Sequence, residues 1–265
     1  MDVEPAARLA FTSGDANAAP KRVALLLDHP WPELDIERAV FDAAGIRLVE
    51  GPQVAGTASE IEQLVREVNP EAILTCWAPV SAAAIAAPRD LRIVARLGVG
   101  LDNIAIEAAS GRGAWVTNVP DYCTSEVSDH AIALLLAHFR GIARLDRQVK
   151  DVGWVPDIRG LTRISDLTVG IIGLGRIGQE TARKLKAFGC RILAVSRQPR
   201  EVPDVTAVSL ARVQRDANVI ILHVPLTGES RDIIDREFIR QCRRRPLIIN
   251  VSRGGLVDTT HFSKA

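Results

Sequence analysis

The sequence predicts an α/β protein made of two doubly wound parallel-sheet domains. Three observations predict it. Short apolar strands alternate with amphipathic helices from Lys21 onward, which is the rhythm of parallel sheets covered on both faces. The rhythm lapses in a stretch containing Gly153, Trp154, Pro156 and Gly160 and restarts at Leu167, and a chain of 265 residues suits roughly two domains. The restart carries three closely spaced glycines, Gly173, Gly175 and Gly178, between an apolar strand and a helix. Together these give a Rossmann-like and flavodoxin-like pair of units.

Taken in order, residues 1–20 read as a disordered leader, with acidic residues and no long apolar run. Val23–Leu27 is a strand, Asp35–Ala44 a helix and Ile46–Val49 a strand. Thr57 and Glu60 have capping-box spacing and start a helix that ends near Val68. Ala72–Thr75, Ile93–Ala95 and Trp115–Thr117 are further strands, so residues 21–123 form the first α/β domain. A single long helix is expected from Thr124 towards Val149, with residues 124–150 bridging the domains. Asp151–Leu161 is read as a linker. The second domain, 151–265, has strands at Val169–Ile172, Arg191–Val195, Val219–Leu222 and Leu247–Asn250, and Thr259–Ala265 reads as the start of a helix.

Composition narrows the function classes. The 33 basic and 32 acidic residues nearly cancel, which gives no support to a nucleic-acid or membrane-surface partner. No apolar run approaches membrane-spanning length. The four cysteines, Cys76, Cys123, Cys190 and Cys242, show no zinc-type spacing and suit free thiols in a cytoplasmic protein, with no metal site expected. The arginines at 240, 243, 244 and 245 read as a solvated helix C-terminus, where positive charge complements the helix dipole.

The glycine turn carries the chemistry. In Gly173-Leu174-Gly175-Arg176-Ile177-Gly178 the first glycine makes a tight turn and the second lets backbone approach a pyrophosphate. The third lets the helix pack on the strand. Free N–H groups at the helix start then favour an anion. The turn is read as a dinucleotide site.

Three further segments sharpen this: Arg96-Leu97-Gly98-Val99-Gly100-Leu101-Asp102-Asn103-Ile104, Leu222-His223-Val224-Pro225-Leu226-Thr227, and Asn250-Val251-Ser252-Arg253-Gly254-Gly255-Leu256-Val257-Asp258. With the glycine turn they resemble the D-isomer-specific 2-hydroxyacid dehydrogenase family, in order and in register from about residue 70 to 260. Asn118–Thr124 looks most like the branch similar to C-terminal-binding-protein corepressors. The resemblance implies a nicotinamide cofactor, a small 2-oxo or 2-hydroxy acid substrate and a homodimer. It makes Arg253 the catalytic arginine that grips the substrate carboxylate and polarises its carbonyl, a task that suits a planar guanidinium. Backbone at Val99 and Gly100 is implied to hold the same carboxylate. Trp77, at the end of a strand, either lines the substrate pocket or packs. Arg176 and Ile177 are implied at the pyrophosphate, His223, Val224 and Pro225 beside the cofactor ribose, and Val251, Ser252 and Arg253 near the nicotinamide. The alternative function is a dinucleotide-binding regulatory protein of corepressor type.

One position departs from the family pattern. An acid normally ends the second cofactor strand and binds the adenosine ribose in NAD enzymes. Eighteen residues after Gly178 this chain has Ser196, followed by Arg197. A hydroxyl and a guanidinium can each bind a 2′-phosphate that a carboxylate repels. A charge-assisted bond is worth roughly 1.5–3 kcal/mol, or about ten- to a hundredfold in affinity. NADP is therefore the expected cofactor ahead of NAD.

Reduction of a 2-oxo acid also needs a proton donor, commonly a histidine oriented by a carboxylate. The family resemblance places that His–Glu pair well after the Arg253 segment, whereas the sequence runs only twelve residues past Arg253. None of His29, His130, His138, His223 or His261 matches it. The expectation is a partial version of a full enzyme, with an incomplete cofactor domain.

Overall fold

The computed structural model describes residues 22–154, 157–198 and 200–261, so the expected leader at 1–20 and the residues after His261 lie outside them. The chain divides into two compact units between Asn118 and Val119.

In the first unit the elements are β1 (Val23–Leu26), α1 (Asp35–Ala43), β2 (Arg47–Glu50), α2 (Ala58–Val68), β3 (Ala72–Thr75), α3 (Ala82–Ala86), β4 (Ile93–Arg96), α4 (Ile106–Gly111) and β5 (Trp115–Thr117). Its five parallel strands run β2-β1-β3-β4-β5. Alternate side chains of β1 serve opposite faces: Leu25 joins Ile61, Val65 and Ile73, whereas Ala24 and Leu26 join Leu34 and Leu74. The capping box forms, with Thr57 N–H donating to Glu60 at 2.7 Å and Glu60 N–H donating to the Thr57 hydroxyl at 3.4 Å. The topology reverses between β1 and β3, where open α/β sheets place their ligands at the carboxyl ends.

The second unit holds α5 (Thr124–Phe139), α6 (Ile142–Val152), β6 (Thr168–Ile172), α7 (Arg176–Ala187), β7 (Arg191–Val195), β8 (Val205–Ala207), α8 (Leu210–Asp216), β9 (Val219–Leu222), α9 (Arg236–Gln241) and β10 (Leu247–Asn250). Its five parallel strands run β10-β9-β6-β7-β8. Counted within the unit this is the order 3-2-1-4-5, the dinucleotide-binding arrangement. One face buries Val169, Ile171, Ile192 and Ile221 against Ala131, Leu135, Ala182 and Leu185 of α5 and α7. The other buries Ile172, Leu193 and Ile220 against Val213 and Phe238 of α8 and α9.

Four sequence expectations are corrected. The long helix after Thr124 is two helices, because Gly141 adopts a left-handed φ of 61° that breaks the turn. The first of them does not stand as a separate bridge. It belongs to the second unit, where Ala131, Ile132 and Leu135 pack on α7 and Lys184 Nζ donates to Ser128 and Asp129 at 2.6 Å each. The Asp151–Leu161 stretch then connects α6 to β6 within that unit rather than linking domains. Thr259–His261 forms a single 3₁₀ turn where a helix start was expected. The strand β8 went unforeseen, since three residues at a sheet edge, two of them exposed, leave no apolar run.

Candidate active site

The glycine turn is shaped as its spacing implies. Gly173 has a φ of 101°, and a Cβ there would lie closer than 3.0 Å to the His223 carbonyl. A Cβ on Gly178 would stand 3.1 Å from the Gly173 carbonyl carbon and nearer still to its oxygen. Helix α7 thus rests directly on the turn. Gly175 differs, because a Cβ there would meet no protein atom within 4 Å. Neither packing nor φ (−75°) demands glycine at that position. The space in front of this backbone is open.

Gly175 also caps α7 without any side-chain hydrogen bond. The N–H groups of Arg176, Ile177 and Gly178 stand ahead of the first helical bond, from Gln179 N–H to the Gly175 carbonyl at 2.9 Å. Gln179 Nε2 donates to the Leu174 carbonyl at 3.1 Å and steadies the turn. Open N–H groups and a helix dipole at a ligand-accessible glycine form an anion cradle.

In front of the cradle lies an open cavity of about 780 Å³, at the carboxyl ends of β6, β7 and β9. Gly173, Gly175, Ser196, Arg197, His223, Val224 and Pro225 all line it. It sits at the switch point between β6 and β9. Arg176 instead lines a neighbouring cavity with Gln179 and Arg183, and Gly178 packs behind. Val251, Ser252 and Arg253 follow β10, one strand over, and do not line the main cavity. Asn250 shapes their loop: its Oδ1 accepts from Ser252 N–H at 3.0 Å and its Nδ2 donates to the Arg253 carbonyl at 2.8 Å. The Ser252 hydroxyl ties the loop to the Leu222 carbonyl at 2.9 Å, and Arg253 is half-buried.

His223 is the histidine of this cavity. Its Nε2 meets the Thr181 hydroxyl at 2.9 Å, and burial pushes its pKa down to about 4. The ring is therefore neutral at neutral pH.

The remaining sequence-read positions lie in the first unit. Trp77 is 60% exposed, and its backbone N–H donates to the buried Asp28 carboxylate at 2.6 Å. Asp28 also accepts from Cys76 N–H at 2.8 Å and the Thr75 hydroxyl at 3.1 Å, fixing the β3 loop. Burial, with Asp28 nearby, raises the Cys76 thiol to about 11, so it is no nucleophile. The Val99 carbonyl accepts from Asn118 Nδ2 at 2.8 Å, and Gly98 makes room for the Arg96 guanidinium.

Two charged residues of the main cavity were missed by the sequence reading, Arg200 and Glu229. Glu229 sits across from Arg197, its Oε2 3.5 Å from Arg197 Nη1. Neither stands in the glycine turn or the flanking motifs, so only the fold could bring them in.

Sheet order, glycine turn and cavity define a Rossmann unit of the dinucleotide type. Residues 132–265 match the family model described as D-isomer specific 2-hydroxyacid dehydrogenase, NAD binding domain, and this chain belongs to that family. It is 36% identical over 234 residues to D-3-phosphoglycerate dehydrogenase of Mycobacterium bovis, covering 86% of this chain and 43% of that protein. Glyoxylate reductase of Korarchaeum cryptofilum is 38% identical over 195 residues, 71% of this chain and 59% of the relative. The chain therefore spans about half the length of these curated relatives. Among solved structures, D-lactate dehydrogenase from Aquifex aeolicus complexed with NAD and lactic acid superposes with a TM-score of 0.79 at 26% identity, covering 90% of this chain and 71% of that one. These relatives carry metabolic-enzyme names, and the corepressor-like branch read from Asn118–Thr124 gains no support from them.

Proposed function

We propose that this chain binds a nicotinamide dinucleotide in the second unit and serves an oxidoreductase that interconverts a 2-oxo acid and a D-2-hydroxy acid. The observation that carries the reading is Gly175, open to a ligand at the uncapped start of α7 between two glycines that the fold itself requires. The bound cofactor supplies hydride chemistry. The chain's own residues supply the cradle at Gly173–Gly178, the ribose side at Ser196, Arg197, His223, Val224 and Pro225, and the nicotinamide side at Val251–Arg253. Arg253 is proposed to hold the substrate carboxylate, with Val99, Gly100 and Trp77 of the first unit as further substrate contacts, all carried over from the family likeness.

NADP is the proposed preference over NAD, because Ser196 and Arg197 stand where an acid would repel the 2′-phosphate. Arg197 is 79% exposed. Solvent screening therefore trims the advantage to about tenfold or less, the lower end of the range for a charged hydrogen bond. Equilibrium titration of the chain with NADPH and with NADH tests the reading. Tighter binding of NADPH supports it; tighter binding of NADH, or binding of neither, counts against it.

The proposed partner is a second copy of the chain. Helix α6 has no buried residue, and its apolar positions Ile142, Leu145, Val149 and Val152 form one stripe. Their spacing of three, four and three reads the same in both directions. An antiparallel two-fold pairing then sets apolar against apolar along the whole stripe.

A further inference from the structure

Resting on the dinucleotide reading, we propose that Glu229 is a specificity-determining residue of the same cavity. It stands in for the carboxylate missing at Ser196, but from the opposite wall. It offers an acceptor to the adenosine ribose hydroxyls and restrains the preference that Arg197 gives to a 2′-phosphate.

Placement is the first argument. Arg197 follows β7 and Glu229 lies in the loop after β9, yet both line the one cavity, 3.5 Å apart at Arg197 Nη1 and Glu229 Oε2. The loop that carries Glu229 is held fast. Thr227 N–H donates to the Ser230 hydroxyl at 2.8 Å, that hydroxyl donates to the Pro225 carbonyl at 2.6 Å, and Arg231 N–H donates to the Thr227 carbonyl at 3.0 Å. Glu229 is therefore presented from a fixed base.

Charge is the second argument. Among the described residues lining this cavity, Arg197 and Arg200 are the cations and Glu229 the acid. The pair is 79% and 82% exposed, so it contributes little to the fold and both groups remain open to a ligand. A 2′-phosphate reaching Arg197 then sits beside the like charge of Glu229. A ribose diol meets the reverse, since the carboxylate accepts its hydroxyls as the strand-end acid of NAD enzymes does. The single ion pair thus opposes one cofactor and assists the other.

Calorimetric titration of the full chain with NADPH and with NADH, at low and at physiological ionic strength, tests this in the wild type and in Glu229→Gln. The substitution is isosteric and exposed, so the melting temperature should not change. NADPH should bind about two- to fivefold tighter in Glu229→Gln and NADH weaker by a similar factor, an effect of exposed-pair size that shrinks with salt. A wild-type chain that binds both cofactors, with a ratio unchanged by Glu229→Gln, overturns the role of Glu229 and leaves the dinucleotide site standing. Failure of the wild type to bind either cofactor overturns the dinucleotide reading and this proposal with it.

Discussion

Gly175 and Gly178 lie three residues apart in one turn, and the structure assigns them opposite sensitivities. An alanine at 178 would push a methyl into the Gly173 carbonyl, a contact with backbone on the tightest part of the turn. Neither β6 nor α7 can yield cheaply there, because β6 is buried along its length and Ala182 and Leu185 of α7 are in the core. Overpacking of this kind costs about 1–3 kcal/mol, and a backbone neighbour places it near the top of that range. The melting temperature should fall by about 6–12 °C. At Gly175 an added methyl meets no protein atom, and the extended backbone (φ −75°, ψ −163°) suits any residue. Stability should change by less than about 1 kcal/mol. The same methyl stands where a pyrophosphate meets the N–H groups of α7, so cofactor affinity should fall about tenfold or more. Thermal melts and fluorescence titrations with NADPH on both variants check the pair of outcomes. Wild-type affinity in Gly175→Ala, or a large loss of stability there, refutes the reasoning.

Three other outcomes follow from named contacts. Folding holds His223 near pKa 4 against an ordinary 6.5, so between those values the unfolded chain binds a proton that the folded chain does not. Its contribution is whole above pH 6.5 and is lost as pH falls towards 4; the shift corresponds to about 3 kcal/mol, and urea titrations across that range should show a slope that His223→Gln flattens. Arg197→Ala should weaken NADPH about five- to tenfold and NADH less than about twofold, read by equilibrium titration. Val149→Asp puts a charge into the α6 stripe of both copies, and the dimer proposed there should weaken at least about thirtyfold, measured by analytical ultracentrifugation.

Much of this was legible in sequence because it depends on local spacing. The strands β1, β3, β6, β7, β9 and β10 announce themselves as apolar runs, and the glycine turn fixes its own geometry within six residues. The break at Gly141 was not legible, since one glycine inside a helical pattern is ordinarily tolerated and only its left-handed φ ends the helix. Nor was β8, whose mostly exposed residues owe their pairing to β7. In the site, Ser196 and Arg197 could be reached by counting from Gly178. Glu229 could not, because its role depends on two loops meeting across a cavity, which the chain's order conceals. The low pKa of His223 likewise follows from burial that no motif encodes.

Whether the second unit cradles a dinucleotide at Gly173–Gly178 is decided by a crystal structure of this chain grown with NADPH. The pyrophosphate should lie against Gly175 and the first N–H groups of α7, with the adenosine phosphate beside Ser196 and Arg197. A cofactor bound away from that turn, or no cofactor at saturating NADPH, contradicts the dinucleotide reading.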